Sequence, residues 1–329
     1  MTRDRPLVTC IGEVLIDFLP ILEEGRTVGF RMYPGGSLLN VAMAIARLDG
    51  RVALVSKTGT DFFGRFLRRH IEREGIDTCW LGEAQASSTI GFVAFEGGEP
   101  SYTFYGEGAS DTLLTIDDLP PELFAQTAIL HVGSISLFRG STPSAVVAAC
   151  ERLRGRALLS LDPNLRPSFV RDERSDRATL DRLFGLVDVV KLSEADAAWL
   201  WPGRSTREVA VELLARGAAL VALTRGGKDV LAVRGAADAP EVLELPAFDV
   251  PVTDTVGAGD SFEGGLLTRL AELGVTSRTA LAALPLDTLR EALRFAAAVG
   301  ALDCTREGAD PPRRSEVDAF LRPVTGGRR

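Results

Sequence analysis

Histidine is almost missing from this chain, with only His70 and His131 among 329 residues. Zinc sites and serine or cysteine triads draw on histidine, so carboxylates must carry any acid–base chemistry. Cysteine is also scarce: Cys10, Cys79, Cys150 and Cys304 lie far apart and form no C-x-x-C pair. That spacing suits reduced thiols in a cytoplasm rather than a disulfide framework or a zinc site. No apolar run approaches the length of a membrane span. The segment Met1–Pro6 lacks the apolar core of a signal peptide. A basic excess is absent too, since the formal net charge is −8. Nucleic acid and anionic membrane are thereby removed as default partners.

The familiar phosphate-binding motifs are missing as well. Gly227-Lys228 is followed by Asp229, so no G-x-x-x-x-G-K-[ST] loop exists. No G-x-G-x-x-G opens a helix, and neither H-R-D nor D-F-G occurs. Any nucleoside triphosphate must therefore be handled by another architecture.

What is present alternates strand-like and helix-like segments over most of the length, the pattern of a parallel sheet covered by helices. The length fits one large α/β domain with an appendage, or two ordinary domains. Leu7–Ile11, Val52–Ser56, Ala128–Val132, Ala157–Leu161, Val187–Leu192 and Leu220–Thr224 read as strands. Asn40–Leu48 reads as a helix, and Phe63, Phe66, Leu67 and Ile71 stripe another. Two stretches, about 14–33 and 89–106, alternate apolar and polar residues instead. The second reads as a hairpin turning at Gly97-Gly98. Together they form a small sheet, a lid, a subunit contact or a plain insertion. The Gly-Gly-Arg-Arg terminus reads as frayed.

The strongest local feature is Asp254-Thr255-Val256-Gly257-Ala258-Gly259-Asp260-Ser261-Phe262, which runs into an apolar helical pattern at Phe262, Leu266, Leu267 and Leu270. Small residues let a ligand approach the backbone, and amides at a helix start hold an anion. With Asp260 beside that cradle, phosphoryl transfer to a hydroxyl becomes chemically feasible. A glycine-rich turn capped by an aspartate explains the same residues.

Further polar clusters fall at predicted strand ends, where such folds bind ligands. Asp17 interrupts an apolar run and needs a hydrogen-bonding partner, for which paired sugar hydroxyls would serve. Gly35-Gly36 precede Asn40, itself also readable as a helix cap. Asp162-Pro163-Asn164-Leu165-Arg166 offers acceptor, amide and cation together. Lys191-Leu192-Ser193-Glu194 and Thr224-Arg225-Gly226-Gly227-Lys228 end the next two strands. The latter suits triphosphate contact or a hairpin into Val230–Val233.

These residues carry a family resemblance. Gly35-Gly36-Ser-Leu-Leu-Asn40-Val-Ala and Asp254-Thr-Val-Gly-Ala-Gly-Asp260-Ser-Phe resemble the two signatures of the ribokinase-like sugar kinases, the phosphofructokinase B family. The likeness runs from Gly12-Glu13 to Thr305–Ala309. Phe104–Asp111, His131–Ser134, Asp162–Arg166 and Cys304–Ala309 look most like the bacterial fructokinases within it. The resemblance implies one domain over 1–329, a three-layer α/β/α body with a mostly parallel sheet, and an inserted β-sheet lid through which two copies form a homodimer. It implies ATP-dependent phosphorylation of a sugar, fructose to fructose 6-phosphate, with Mg²⁺ and K⁺ as ions.

By the same likeness Asp260 would be the base, and Gly257, Ala258 and Gly259 with Val256 the anion hole. Asp17, Gly35, Gly36, Asn40, Tyr105 and Arg166 would meet the sugar. Ser193, Glu194, Thr224, Gly226, Gly227, Gly259 and Ala297 would meet nucleotide and Mg²⁺. Asp254, Val256, Asp303, Arg306 and Gly308 would frame the K⁺ site. Leu38 and Leu39 stand where ribokinases have small residues, which disfavours ribose. Gly106 replaces an arginine of relatives that take acidic sugars, while Arg166 keeps 2-keto-3-deoxygluconate open. A kinase fold that only binds a sugar or partner is the alternative of another class.

Overall fold

The computed structural model describes residues 5–96, 99–166 and 172–322, without the side chains of 93–102. The expected turn at Gly97-Gly98 and the Gly-Gly-Arg-Arg terminus lie outside the described residues. The first strands are β1 (Leu7–Ile11), β2 (Leu15–Glu23), β3 (Arg26–Gly35), β4 (Arg51–Gly59), β5 (Leu81–Ala84), β6 (Thr89–Glu96) and β7 (Glu99–Tyr105). Then come β8 (Thr127–Gly133), β9 (Leu158–Asp162), β10 (Val189–Ser193), β11 (Leu220–Thr224), β12 (Asp229–Ala236) and β13 (Ala239–Pro246). The large sheet has the order β13-β12-β11-β10-β9-β8-β1-β4-β5. It is parallel from β5 to β11, and β12 and β13 close one edge antiparallel.

Helices cover both faces because the central strands are apolar on both. Along β1, Val8 and Cys10 enter one buried cluster while Ile11 enters the other. Along β11, Leu220 and Ala222 alternate in the same way with Val221 and Leu223. The Ser37–Arg47, Ala258–Glu272 and Leu286–Asp303 helices pack on the first face. The Thr142–Leu153, Glu173–Phe184 and Thr206–Arg216 helices pack on the second. One contact sets the site: a Cβ on Gly264 would lie 2.5 Å from Ala44 Cβ and 3.0 Å from Val41 O. Glycine there lets the Ala258–Glu272 helix press against the Ser37–Arg47 helix, one turn beyond Asp260.

The chain crosses from β1 to β4 on one side and returns to β8 on the other, so a crevice opens past the C-terminal ends of these strands. Beside it stands a second sheet, β3-β2-β6-β7. Its hairpins β2–β3 and β6–β7 are antiparallel and are joined by parallel pairing of β2 with β6. Phe18 stacks on Phe92 at 4.9 Å and meets Phe63 of the Phe62–Arg73 helix edge-on at 5.9 Å, tying this sheet to the body.

Both excursions expected from the sequence thus pair as one small sheet. Two helices begin earlier than the apolar pattern suggests, at Ser37 rather than Asn40 and at Ala258 rather than Phe262. In the second, the first turn carries small and polar residues (Ala258, Gly259, Asp260, Ser261) that leave no apolar stripe, whereas in the first Leu38 and Leu39 are buried ahead of Asn40. The edge strand β5, Leu-Gly-Glu-Ala, has too few apolar residues to alternate visibly.

Candidate active site

Gly257 caps the Ala258–Glu272 helix in the left-handed region, φ 81°, where its missing side chain also avoids Ala309. No side chain caps this helix. Among the described residues no hydrogen bond engages the amides of Gly257, Gly259 or Asp260, whereas Val256 N donates to Asp254 Oδ1 and Ala258 N to Thr255 O. Of the expected Val256–Gly259 amides, Gly257 and Gly259 are thus left without an acceptor, joined by that of Asp260, while Val256 and Ala258 are engaged.

Asp260 sits in this first turn, 6% exposed. Its Oδ1 accepts from Ser37 Oγ at 2.7 Å and Asn164 Nδ2 at 3.2 Å, and its Oδ2 from Asn40 Nδ2 at 2.8 Å. Three side chains from two elements fix one carboxylate in one orientation at the edge of a cavity of about 660 Å³. Asn40 is not a helix cap; it lies inside the helix, which Gly36 caps with φ 107°.

At one end of the cavity Glu13, Asp17, Asn40, Phe104, Asn164 and Arg166 converge. Burial pushes the Asp17 carboxyl up to about 7, with Arg166 pulling the other way and Asp260 and Glu13 adding to the rise. No hydrogen bond within the described residues meets that carboxyl. Gly35 makes room for it, since a Cβ there would fall 2.1 Å from Asp17 Oδ2. Glu13 Oε1 accepts from Ser37 N at 3.0 Å, Oε2 accepts from Ser136 Oγ, and burial raises this carboxyl to about 7. Arg166 donates to Asn164 Oδ1 at 2.7 Å and Leu165 O at 3.1 Å, so Asn164 links it to Asp260. Tyr105 is a correction: it is 60% exposed, packs edge-on to Phe92 and does not line the cavity. Strand alternation turns its neighbour Phe104 inward instead.

At the other end lie Ser193, Glu194, Thr224, Gly226, Gly227 and Ala297. A Cβ on Gly226 or Gly227 would meet nothing within 4 Å, so this loop lines open space. The same residues also turn β11 into the antiparallel β12, so hairpin and cavity wall coincide. Ser193 caps the Glu194–Leu200 helix in a reciprocal capping box with Asp196. Glu194 pairs with Lys228 at 2.9 Å.

Beneath the anion-facing turn, Asp254 Oδ1 accepts from Thr255 N at 2.7 Å and Oδ2 from Gly308 N at 2.9 Å, which joins two loops. Asp303 is fully buried; its Oδ2 has no hydrogen-bond partner among the described residues and lies under Gly257, 3.1 Å from where a Cβ would stand. Burial raises Asp303 to about 7. An orphaned buried carboxylate oxygen fits a cation in this place. The Arg306 side chain departs from the expectation: it turns outward to Asp310 and Glu316, leaving only its backbone near the loop. No group of three or more His, Cys, Asp or Glu side chains able to hold a metal occurs among the described residues.

Glu13, Ser37, Asn164 and Lys191 also line the site; the sequence placed Asn164 and Lys191 in strand-end clusters and Glu13 and Ser37 in the family-like segments, but gave none of them an individual role.

The model of the pfkB family carbohydrate kinases matches residues 5–315. A fructokinase of Klebsiella pneumoniae is 36% identical over 304 residues, 91% of this chain and 93% of that one. Among solved structures, the fructokinase of Xylella fastidiosa with bound ATP superposes with a TM-score of 0.87 at 31% identity, covering 96% and 98% of the two chains. A fructokinase double mutant of Vibrio cholerae O395, in fructose, ADP and potassium ion bound form, gives 0.83 at 30% identity, covering 97% and 99%.

Proposed function

As the chain belongs to the pfkB family of carbohydrate kinases, we propose that it transfers the terminal phosphoryl group of ATP to a hydroxyl of fructose, giving fructose 6-phosphate and ADP. The observation that carries this reading is the Asp260 carboxylate, locked by Ser37, Asn40 and Asn164 beside unengaged amides of a helix start. Asp260 accepts the hydroxyl proton as the sugar oxygen bonds to phosphorus. The bond to the bridging oxygen breaks, and ADP leaves with its electron pair. The amides of Gly257, Gly259 and Asp260 face the charge on the transferring group, where preorganised donors matter most.

A neutral, hydroxyl-rich substrate suits the sugar end because Glu13, Asp17 and Asp260 already bring three carboxyl groups there. A sugar acid would add a fourth and rely on Arg166 alone. At the other end Glu194 would hold a magnesium ion arriving with the phosphates, an ion that neutralises their charge and takes few protein ligands. Asp254, Asp303 and the backbone of 303–308 would hold potassium, whose charge would steady the loops under Gly257.

The small sheet exposes Ile21, Leu22, Val28 and Phe30, which supports a homodimer through this face, tested by sedimentation of Val28→Asp. Free thiols at Cys10, Cys79, Cys150 and Cys304 support a cytoplasmic enzyme, and no helix among the described residues is long and apolar enough to cross a membrane. The deciding assay measures ATP consumption over a panel of sugars and sugar acids. Fructose should give the highest kcat/KM. A preference for 2-keto-3-deoxygluconate refutes the substrate, and sugar binding without turnover refutes the enzyme.

A further inference from the structure

Lys191 lies in the middle of β10, 3% exposed, yet its side chain lines the central cavity. Its Nζ donates at 2.7 Å to Oδ2 of Asp162, the last residue of the neighbouring strand β9. A buried ammonium needs such a partner, so an ion pair that merely joins two strands is the plain explanation. Two features exceed it.

The first is the glycine that faces the ammonium. A Cβ on Gly259 would lie 2.7 Å from Lys191 Nζ and 3.7 Å from Lys191 Cε. Gly259 has no positive φ that would call for glycine, and it occupies a helical position where alanine is the better former. Glycine leaves room for the ammonium here, and a Cβ would displace the lysine tip. The second feature is electrostatic. The ammonium sits against the N-terminal turn of the Ala258–Glu272 helix, the positive end of the helix dipole, where a cation is unfavourable. Unengaged amides and an ammonium converge on one spot of the cavity wall. Asp162 and Asp260 hold the ammonium there, and an arriving anion would meet it together with the amides.

We infer that Lys191 is a catalytic contact of the transferring phosphoryl group, its ammonium completing the anion hole made by the amides of Gly257, Gly259 and Asp260. The assignment rests on the kinase reading above and adds to it a residue and a role. Lys191 stays protonated throughout and exchanges no bond; Asp260 alone takes the hydroxyl proton. Burial pulls the lysine pKa down, but Asp162, Asp260 and Asp196 outweigh it and hold it above its ordinary value. A protonated lysine suits an electrostatic contact rather than a base. Asp162 is the counterion that keeps the ammonium in place before the phosphate arrives, and its Oδ1 is itself held by Asn164 N at 3.1 Å.

The test compares Lys191→Met, Asp162→Asn and the double variant, each as the full chain with ATP and fructose. Lys191→Met should lower kcat about 10- to 150-fold, the range for a lost charge-assisted hydrogen bond. The KM for fructose should change less than about twofold, because the contact forms at the phosphoryl group. Inhibition by ADP with aluminium fluoride, a mimic of the transferring group, should weaken in parallel. Removing one partner of a buried pair can unfold a protein, and the double variant removes both. It should recover the melting temperature without recovering kcat. A double variant with kcat within about threefold of wild type overturns the assignment and leaves Lys191 a structural counterion. Wild-type protein that phosphorylates no sugar overturns the kinase reading first, an outcome distinct from an active double variant.

Discussion

Replacing Asp260 by asparagine should abolish most turnover while leaving the fold intact, and the geometry says why the two effects separate. The carboxylate accepts three hydrogen bonds, from Ser37 Oγ, Asn164 Nδ2 and Asn40 Nδ2. An asparagine can place its own oxygen where Oδ1 stood and keep the first two. Its amide nitrogen then faces the Asn40 side chain, whose Oδ1 is buried and without a partner. Turning the Asn40 amide over converts the clash into a new hydrogen bond and leaves the number of unsatisfied groups unchanged. The melting temperature should therefore stay within about 3 °C of wild type. Turnover should fall roughly 10²–10⁴-fold, equal to about 3–5 kcal/mol of barrier. Fructose binding, measured by calorimetry in the absence of nucleotide, should weaken far less than that. The coupled ADP-release assay reads kcat directly. A variant that keeps kcat within tenfold of wild type, or that loses its melting transition, refutes this account of Asp260.

The chemistry of the site was more legible in the sequence than its contacts. Gly257–Asp260 announced itself because an anion cradle and a carboxylate can be read from four adjacent residues. Polar clusters at strand ends were legible for the same reason, since a parallel sheet gathers those ends into one crevice. The hydrogen bond from Ser37 to Asp260 spans 223 positions, and only the packing of two helices at Gly264 creates it. Lys191 reads as an ordinary strand-end lysine until Asp162 and Gly259 enclose it. Asn164 adopts φ 39°, a left-handed turn that aims its amide at Asp260; a neighbouring proline hints at a turn but not at its direction. Phe104 and Tyr105 were separable only by strand parity, and an error of one residue exchanges inside for outside.

Three more outcomes follow from the site. Asp17 has its carboxyl raised to about 7 in the fold against 3.8 ordinarily, so between these pH values the folded protein keeps a proton that the unfolded chain releases. Ligand-free stability should then fall as pH rises through that window, and Asp17→Asn should flatten the fall and raise the melting temperature at pH 8, by at most about 4 kcal/mol of stability; an unchanged slope would sink the idea. Exchanging potassium for tetramethylammonium at constant ionic strength should depress kcat, because that ion is too large to reach Asp303 Oδ2 beneath Gly257; equal rates would mean no monovalent ion acts there. Arg166→Ala should lower kcat more than it raises the KM for fructose, since Arg166 holds Asn164 Oδ1 and Asn164 in turn orients Asp260. A variant whose main defect is a raised KM, with kcat intact, would instead mean that Arg166 grips an acidic substrate in the ground state, and fructose would have to be given up.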